Sequence, residues 1–349
     1  MSRRILGLLV IGACLFASLP AWAQVEYWPN GKVVNTEKYK KTPPWTVGIS
    51  NASVSNDWRV SFMAHVETQL KRYPEFGKVY ITNANDSPEK QMADIEDLLN
   101  KGIDVLILSA ATDKALNPAV DKAMKKGVPV VVVDRKITTD NYVTFVANSD
   151  EVIGHKTMNW LAQQLGDKGS IVILSGVPGS GAAEARLAAV RSELKSHPNI
   201  KVLATEYVYY SVAKAKTTTA SLIQKFGDKI DGIWTDGTSS NSGAIDAYVD
   251  AGLKIPPISG DDTNRYLKQW AKYKFNGSGA SIPVWMGAVA VDAAAAIMQG
   301  LPVPHEYWVP CLYITNDTLK DYVREDMPDG FLVDQRLPED VINKVYKKQ

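Results

Sequence analysis

Short runs of β-branched residues alternate with longer helical stretches along most of this 349-residue chain, and no other feature restricts its fold as strongly. The runs are nearly continuous in apolar character, which is typical of strands buried on both faces of a sheet. The predicted strands are residues 45–50, 79–82, 105–108, 128–133, 171–174, 202–207, 232–235 and 255–259. Repeated strand–helix–strand units form parallel sheets, so the pattern predicts the α/β class with two doubly wound parallel-sheet lobes.

The stretches between these runs carry signals for the start and the end of helices. Ser87 and Pro88 suit the start of one helix, while Gly102 and Gly127 suit the ends of two. The predicted helices are residues 58–72, 87–101, 117–126, 153–165, 183–194, 213–226, 242–251 and 284–299. The last of these is rich in alanine and almost uncharged, so we expect it to be a buried packing helix.

The first residues of the chain have the composition of an export signal. Arg3 and Arg4 precede an apolar run over residues 5–13, and Ala21-Trp22-Ala23 offers small residues where signal peptidase cleaves. The apolar run is shorter than the roughly 20 residues that a spanning helix needs. We therefore predict a secretory signal peptide over residues 1–23. A lipoprotein-type cleavage that leaves a lipidated Cys14 is the less favoured alternative, because the site after residue 23 is complete.

Charge and cysteine content exclude several classes of protein. The 39 lysines and arginines balance 38 aspartates and glutamates, so the totals give no basic surface for nucleic acid. Once the signal peptide is removed, Cys311 is the remaining cysteine, which excludes an internal disulfide and a thiolate zinc site. The four histidines are scattered without metal-ligand spacing, so we predict no metal and no cofactor.

Polar and aromatic residues follow the predicted strands in both halves of the chain. In parallel sheets, ligands bind beyond the carboxyl ends of the strands, so these residues are candidates for a binding site. They are Asp134-Arg135, the stretch from Ser175 to Arg186, Tyr209-Tyr210, Asp236-Gly237 and Asp261-Asp262.

Asp134-Arg135 is the strongest local signal for a ligand. Carboxylate acceptors beside guanidinium donors suit the vicinal hydroxyls of a sugar or polyol, although one such pair could also be a structural salt bridge. Arg186 stands near a predicted helix start, where a cation opposes the helix dipole, and this favours a role in binding. Trp58 and Tyr210 offer flat apolar faces that suit the C–H faces of a sugar.

A glycine-rich segment over residues 179–184 allows an enzymatic alternative. It follows a predicted strand and opens a helix, but Glu184 stands where a dinucleotide fingerprint has its third glycine. An exported nucleotide-dependent enzyme would use this segment together with Asp134 or Asp261 as acid–base groups. The plainer interpretation is a tight turn whose amides approach a polar ligand.

The combination of these motifs resembles the periplasmic sugar-binding proteins of ATP-driven importers, of the ribose and galactose type, within the periplasmic-binding and lactose-repressor superfamily. The resemblance covers residues 46–313. It is carried by residues 55–59, 127–135, 147–150 and 176–186.

The resemblance implies two lobes joined by three chain crossings, the type I fold of periplasmic binding proteins. The crossings would be residues 147–150, 279–282 and 307–314, with hinge positions at Asn148, Ser149, Ser281 and Cys311. The implied N-terminal lobe is residues 45–148 plus 282–310, the C-terminal lobe is residues 149–281 plus 311–349, and residues 24–44 form an extended leader.

The resemblance also implies which side chains contact the ligand. The implied ligand contacts are Asn56, Trp58, Arg59, Asp134 and Arg135 from the first lobe, and Arg186, Tyr210, Asp236 or Gly237, Asp261 and the hinge residue Ser281. Ribose binders have a Gln-Asn pair where this chain has Asp236-Gly237, and a hinge Gln where it has Ser281. These departures argue against ribose itself and leave open another pentose, a hexose or a polyol.

The function implied by the resemblance is solute capture without chemistry. A monomeric periplasmic protein would close its lobes around a monosaccharide or polyol and deliver it to the membrane permease of an ABC importer. A sensor that presents the bound sugar to a membrane receptor or kinase is the alternative within the binding class. Neither role involves nucleic acid.

Overall fold

The computed structural model describes residues 28–237 and 239–347, so the predicted signal peptide and Cys14 lie outside the described residues. Within these ranges the chain forms thirteen strands and ten α-helices. The strands are β1 (Trp28–Val34), β2 (Thr46–Asn51), β3 (Lys78–Asn83), β4 (Val105–Leu108), β5 (Val130–Val133), β6 (Thr144–Ala147), β7 (Gly169–Ser175), β8 (Ile200–Tyr207), β9 (Gly232–Thr235), β10 (Ile258–Gly260), β11 (Gly277–Ala280), β12 (Val303–Trp308) and β13 (Tyr313–Ile314). The helices are α1 (Asp57–Leu70), α2 (Pro88–Asn100), α3 (Asn117–Lys125), α4 (Asp150–Gln164), α5 (Gly181–Glu193), α6 (Val212–Phe226), α7 (Ser240–Asp250), α8 (Asn264–Tyr273), α9 (Met286–Met298) and α10 (Glu339–Tyr346).

The first lobe is built on a sheet whose described strands number seven, in the order β1-β12-β6-β5-β4-β2-β3. All neighbours are parallel except β1, which pairs antiparallel with β12. Strand β4 explains the continuous apolar pattern, because Val105 and Ile107 enter one core while Leu106 and Leu108 enter the core on the opposite face.

The second lobe repeats this plan with six described strands in the order β13-β11-β10-β9-β7-β8. Strand β13 is antiparallel to β11, and the other pairs are parallel. Helices cover both faces here as well, with α4 and α5 on one core and α6, α7 and α8 on the other. The predicted α/β class with two doubly wound sheets is confirmed.

The described chain passes between the lobes three times: from β6 to α4, from β11 to α9, and from β12 to β13. Each sheet therefore contains strands from distant parts of the chain. The predicted crossings fall at these connections, while the predicted lobe boundaries stay a prediction.

Residues 24–44 are predicted to form an extended leader, but part of this segment belongs to the first sheet. Its residues 28–34 form β1, which covers the edge of the first sheet with a register shift between Asn30 and Val33. Gly31 has a φ of +76° inside this irregularity. A bulged edge strand lacks a regular two-residue period, so its sequence did not indicate a strand.

A segment near the C-terminus contacts both lobes, and we call residues 331–337 the C-terminal strap. Leu332 forms a bridge with Thr263 of the second lobe, while its side chain packs in the core of the first. Gln335 Nε2 donates to Ser61 Oγ at 2.9 Å, and the Arg336 guanidinium lies 3.7 Å from the Trp285 ring centroid. The strap thus joins the lobes in addition to the three crossings.

No helix in the described part of the chain has both the length and the hydropathy needed to cross a bilayer.

Candidate ligand-binding site

A small cleft lies between the lobes where the carboxyl ends of both sets of strands meet. Its volume, counting the part open to solvent, is about 280 Å³. The lobes also touch directly, because the Asp113 amide of the first lobe donates to the Gly179 carbonyl of the second at 3.2 Å. The residues that line the cleft are Asn56, Trp58, Arg59, Asp134, Arg135, Ala182, Arg186, Tyr210 and Ile282.

The start of α1 supplies the apolar wall of the first lobe. Asn56 caps the helix, because its side-chain oxygen accepts from the Arg59 amide. This cap places Trp58 and Arg59 in the first turn, facing the cleft. Trp58 Nε1 donates to the Ile282 carbonyl at 2.7 Å, and its ring stacks on Phe62 with centroids 5.3 Å apart. The indole is therefore held in place by protein contacts.

A buried ion pair forms the polar wall of the first lobe. Arg59 Nη2 donates to Asp134 Oδ2 at 2.8 Å, and Nη1 donates to Ser109 Oγ at 2.7 Å. Burial, together with the charge of Arg135, lowers the pKa of Arg59 to about 10, so the guanidinium remains charged at neutral pH. Asp134 has a φ of +70°, a left-handed conformation that costs a non-glycine residue roughly 1–3 kcal/mol and is concentrated at functional sites.

Arg135 is anchored to the backbone of a neighbouring loop. Its Nη1 donates to the carbonyls of Ala110 at 3.3 Å and Ala111 at 3.1 Å. Its Nε lies 3.8 Å from Asp134 Oδ2, so Arg59 and Arg135 share one carboxylate.

Arg186 of α5 occupies the corresponding position in the second lobe, between two carboxylates. Its Nε donates to Asp150 Oδ1 at 2.7 Å, and Nη1 donates to Asp236 Oδ1 at 2.8 Å. Burial alone would lower the pKa of Arg186, but the charges of Asp236 and Asp150 raise it well above its ordinary value. The arginine is a permanent cation in this site.

Tyr210 completes the second wall through the same carboxylate. Its hydroxyl donates to Asp236 Oδ2 at 3.0 Å, and the Gly176 amide donates to the same oxygen at 3.0 Å. Burial and the charge of Asp236 raise the pKa of the Tyr210 hydroxyl, so it remains a donor. A Cβ at position 176 would lie 2.1 Å from Tyr210 Cζ, so only glycine leaves room for the ring.

The structure brings seven of the predicted contacts into the cleft lining and places one directly behind it. Asp236 holds Arg186 and Tyr210 from behind. The seven lining residues are Asn56, Trp58, Arg59, Asp134, Arg135, Arg186 and Tyr210.

Asp261 and Ser281 are placed elsewhere, outside the set of described residues that line the cleft. Asp261 Oδ2 accepts from the Ser239 amide at 2.7 Å and its Oδ1 from Thr263 Oγ1 at 2.7 Å, so it organises two loops of the second lobe. Ser281 Oγ donates to Asp334 Oδ2 at 2.7 Å and accepts from the Leu312 amide at 2.8 Å. Ser281 therefore ties the second crossing to the third and to the strap.

The other predicted hinge residues lie on the first and third crossings. Asn148 Nδ2 donates to Asp150 Oδ1 at 3.1 Å, and Ser149 caps α4 by accepting from the Val152 amide. Cys311 is a half-buried free thiol on the third crossing, and burial raises its pKa, so it is a poor nucleophile.

Sequence reasoning missed three residues at the site. Ala182 and Ile282 line the cleft, but a single apolar residue after a strand or crossing carries no signal of its own. Asp150 was visible as an acidic residue in a first helical turn, which ordinarily indicates only helix stabilisation.

The glycine-rich segment places a carboxylate against the amide near its start. The Gly179 amide donates to Glu184 Oε1 at 3.1 Å, so the carboxylate occupies the position at which a phosphate would bind and would repel it. Among the described residues, no group of three or more His, Cys, Asp or Glu side chains is arranged to hold a metal ion.

Comparison with known proteins agrees with this geometry. Residues 47–302 match the family described as periplasmic binding protein domain. The chain is 27% identical to the ribose import binding protein of Bacillus subtilis, over 85% of this chain and 92% of that protein. It is 26% identical to the xylitol-binding protein of Mycolicibacterium smegmatis, over 75% of each chain.

Solved structures share the fold. A galactofuranose-binding protein superposes with a TM-score of 0.76 at 21% identity, covering 82% of this chain and 100% of that one. The fructose-binding periplasmic domain of a hybrid two-component system superposes with a TM-score of 0.73 at 25% identity, covering 79% of this chain and 92% of that one. The family match spans most of the sequence, and the predicted resemblance is confirmed: the chain belongs to the family of periplasmic binding protein domains.

Proposed function

We propose that the protein binds a neutral monosaccharide or polyol between its lobes in the periplasm and delivers it to the permease of an ABC importer. One observation carries the proposal: the Arg59–Asp134 pair of the first lobe and Arg186 of the second lobe, which Asp236 holds from behind, meet at the same small cleft beside the Trp58 ring. A hydroxyl both donates and accepts, so it can satisfy a guanidinium and a carboxylate together.

The charges at the cleft favour a neutral ligand. Arg59, Arg135 and Arg186 are matched by three buried carboxylates, those of Asp134, Asp150 and Asp236. A sugar phosphate or sugar acid would add an unmatched negative charge to a buried site, which is costly. Polyols and neutral sugars add none, and the relatives named for ribose and xylitol fall in these classes.

The ligand class is tested by calorimetric titration with D-ribose, D-xylose, L-arabinose, D-fructose, D-allose, xylitol and myo-inositol. We expect at least one to bind and, at a hundredfold excess over Kd, to stabilise the fold by about 2.7 kcal/mol. Arg186→Ala should weaken binding by roughly 10- to 150-fold, since a hydrogen bond to a charged group contributes about 1.5–3 kcal/mol.

Arg191→Ala is the matched control, because Arg191 is an exposed residue of the same helix outside the cleft. It should bind as the wild type does. No binding across the panel, or unchanged affinity in Arg186→Ala, would contradict the proposed function.

A sensory role is the second candidate, favoured by the similarity to a fructose-binding domain of a two-component system. Both roles use the same closed lobes. Sugar-dependent association of the purified protein with a permease complex supports import, whereas association with a sensor kinase supports signalling.

A further inference from the structure

Asp150 lies between the hinge and the binding site. It is the first residue of α4 and the last residue of the first crossing, and 13% of its side chain is exposed. Its Oδ1 accepts from Asn148 Nδ2 at 3.1 Å and from Arg186 Nε at 2.7 Å. One carboxylate oxygen thus joins a hinge residue to an arginine that lines the cleft.

Two carboxylates fix the plane of the Arg186 guanidinium. Asp150 holds Nε, and Asp236 holds Nη1 through its carboxylate at 2.8 Å and its carbonyl at 3.1 Å. Nη2 takes part in neither ion pair. Charge-assisted bonds at both ends of a planar group set its orientation, and without Asp150 the side chain could rotate about the remaining pair.

We propose that Asp150 is a positioning residue, which must be ionised to hold Arg186 for the ligand and which therefore makes ligand affinity fall in acid. This inference rests on the proposed function and assigns a regulatory property to the same site.

Most of the groups around Asp150 disfavour the ionised form of its carboxyl group. Arg186 faces it from α5, Asp236 from the end of β9, Asp134 from across the cleft, and the Cys311 thiol from the third crossing. Burial raises the pKa of Asp150 to about 6, with Arg186 opposing the shift and the two aspartates adding to it. Because burial also raises the pKa of Cys311, the thiol stays neutral below pH 8.

The direction of the pH effect follows from linkage. If the ligand prefers protein with ionised Asp150, binding at pH values near 6 releases a proton, and Kd rises as the pH falls through the pKa. A single group whose pKa is about 6 changes Kd by roughly tenfold between pH 7.5 and pH 5.0. Above pH 7 the affinity should be constant.

The test is calorimetric titration at pH 7.5 and 5.0 with the panel sugar or polyol that binds the wild type most tightly. We expect the wild type to lose about tenfold in affinity at pH 5.0. Asp150→Asn keeps an amide oxygen for Arg186 but no charge. At both pH values it should therefore bind at least as weakly as the wild type does at pH 5.0, with no difference between the two pH values.

Glu151→Gln is the matched control, because it removes the same charge one residue along on an exposed position of α4. It should keep the wild-type pH dependence. The proposal is overturned if Asp150→Asn shows the wild-type pH dependence or binds at pH 7.5 as tightly as the wild type.

A second measurement does not depend on the folding of a variant. Titration of the wild type at pH 6 in buffers of different ionisation enthalpy should show about half a proton released per ligand bound. Zero release, or uptake, contradicts the role of Asp150 while leaving sugar binding intact. Absence of binding to every panel member at both pH values contradicts the proposed function itself, and this inference with it.

Discussion

Each cleft arginine that pairs with a carboxylate does so within its own lobe. Arg59 is held by Asp134, and Arg186 is held by Asp236 and Asp150. Buried charges are stable only when paired, and these pairs need no ligand to complete them. Side chains held by partners of their own lobe lose little freedom on binding, which raises affinity for a small ligand that has few contacts to offer.

At the residue scale, Gly176→Ala tests whether the position of the Tyr210 ring matters for binding. The added Cβ would overlap the ring, so the Tyr210 hydroxyl should leave Asp236. We expect ligand affinity to fall at least tenfold and the free energy of unfolding to fall by about 1–3 kcal/mol, the usual cost of overpacking. Calorimetric titration and urea denaturation measure the two effects.

Tyr210→Phe separates the hydrogen bond from the ring position, because it removes only the hydroxyl. It should weaken binding less than Gly176→Ala does. Equal affinity of Gly176→Ala and wild type would show that the ring does not contribute to the site.

The sequence indicated Asp134 and Arg135 directly, because a polar pair that follows a buried strand must lie at the ligand-binding edge. Arg186 was indicated by its place near a helix start, whereas Asn56 and Arg59 were implied as ligand contacts by the family resemblance. Asp261 follows a strand too, yet its carboxylate binds loop amides and hydroxyls of its own lobe. Sequence position indicates that a side chain lies at the edge of the sheet. Whether that side chain faces the cleft depends on the hydrogen-bond donors that lie near it in the folded lobe.

At the scale of elements, a clear apolar pattern made a segment predictable, whatever its length. Strands β4 and β9 and helix α6 have such patterns and agree with the predicted segments to within one residue at each end. Strand β11 has the sequence Gly-Ser-Gly-Ala and forms because β10 and β13 flank it in the sheet. In a segment of this kind, tertiary contacts outweigh local propensity. Helix α8 was not predicted.

The C-terminal strap belongs to neither lobe alone, and its stability contribution can be tested through Leu332. This side chain is 2% exposed in the core of the first lobe. Leu332→Ala should reduce the free energy of unfolding by about 2–5 kcal/mol, because it leaves a cavity in a packed core. Urea denaturation followed by circular dichroism measures the change.

Leu301→Ala is the matched control, since Leu301 is 51% exposed. It should change the unfolding free energy by less than about 0.5 kcal/mol. Similar losses in the two variants would mean that the strap is not packed as described.

At the scale of the whole molecule, the cleft is built jointly by the two lobes, each with its own sheet and cores. Arg59, Asp134 and Arg135 line it from the first lobe and Arg186 and Tyr210 from the second, so neither lobe alone encloses the cleft. A ligand that contacts both walls lowers the free energy of the closed arrangement relative to an open one, and this differential binding is what drives closure. Closure driven by the ligand therefore requires simultaneous contacts to both lobes.

A crystal structure with the tightest-binding panel sugar or polyol tests this requirement most directly. We predict one unaltered molecule whose hydroxyls contact the Arg59–Asp134 pair of the first lobe and Arg186 of the second, with an apolar face against Trp58. Density that contacts one lobe only, or that lies outside this cleft, would contradict the account.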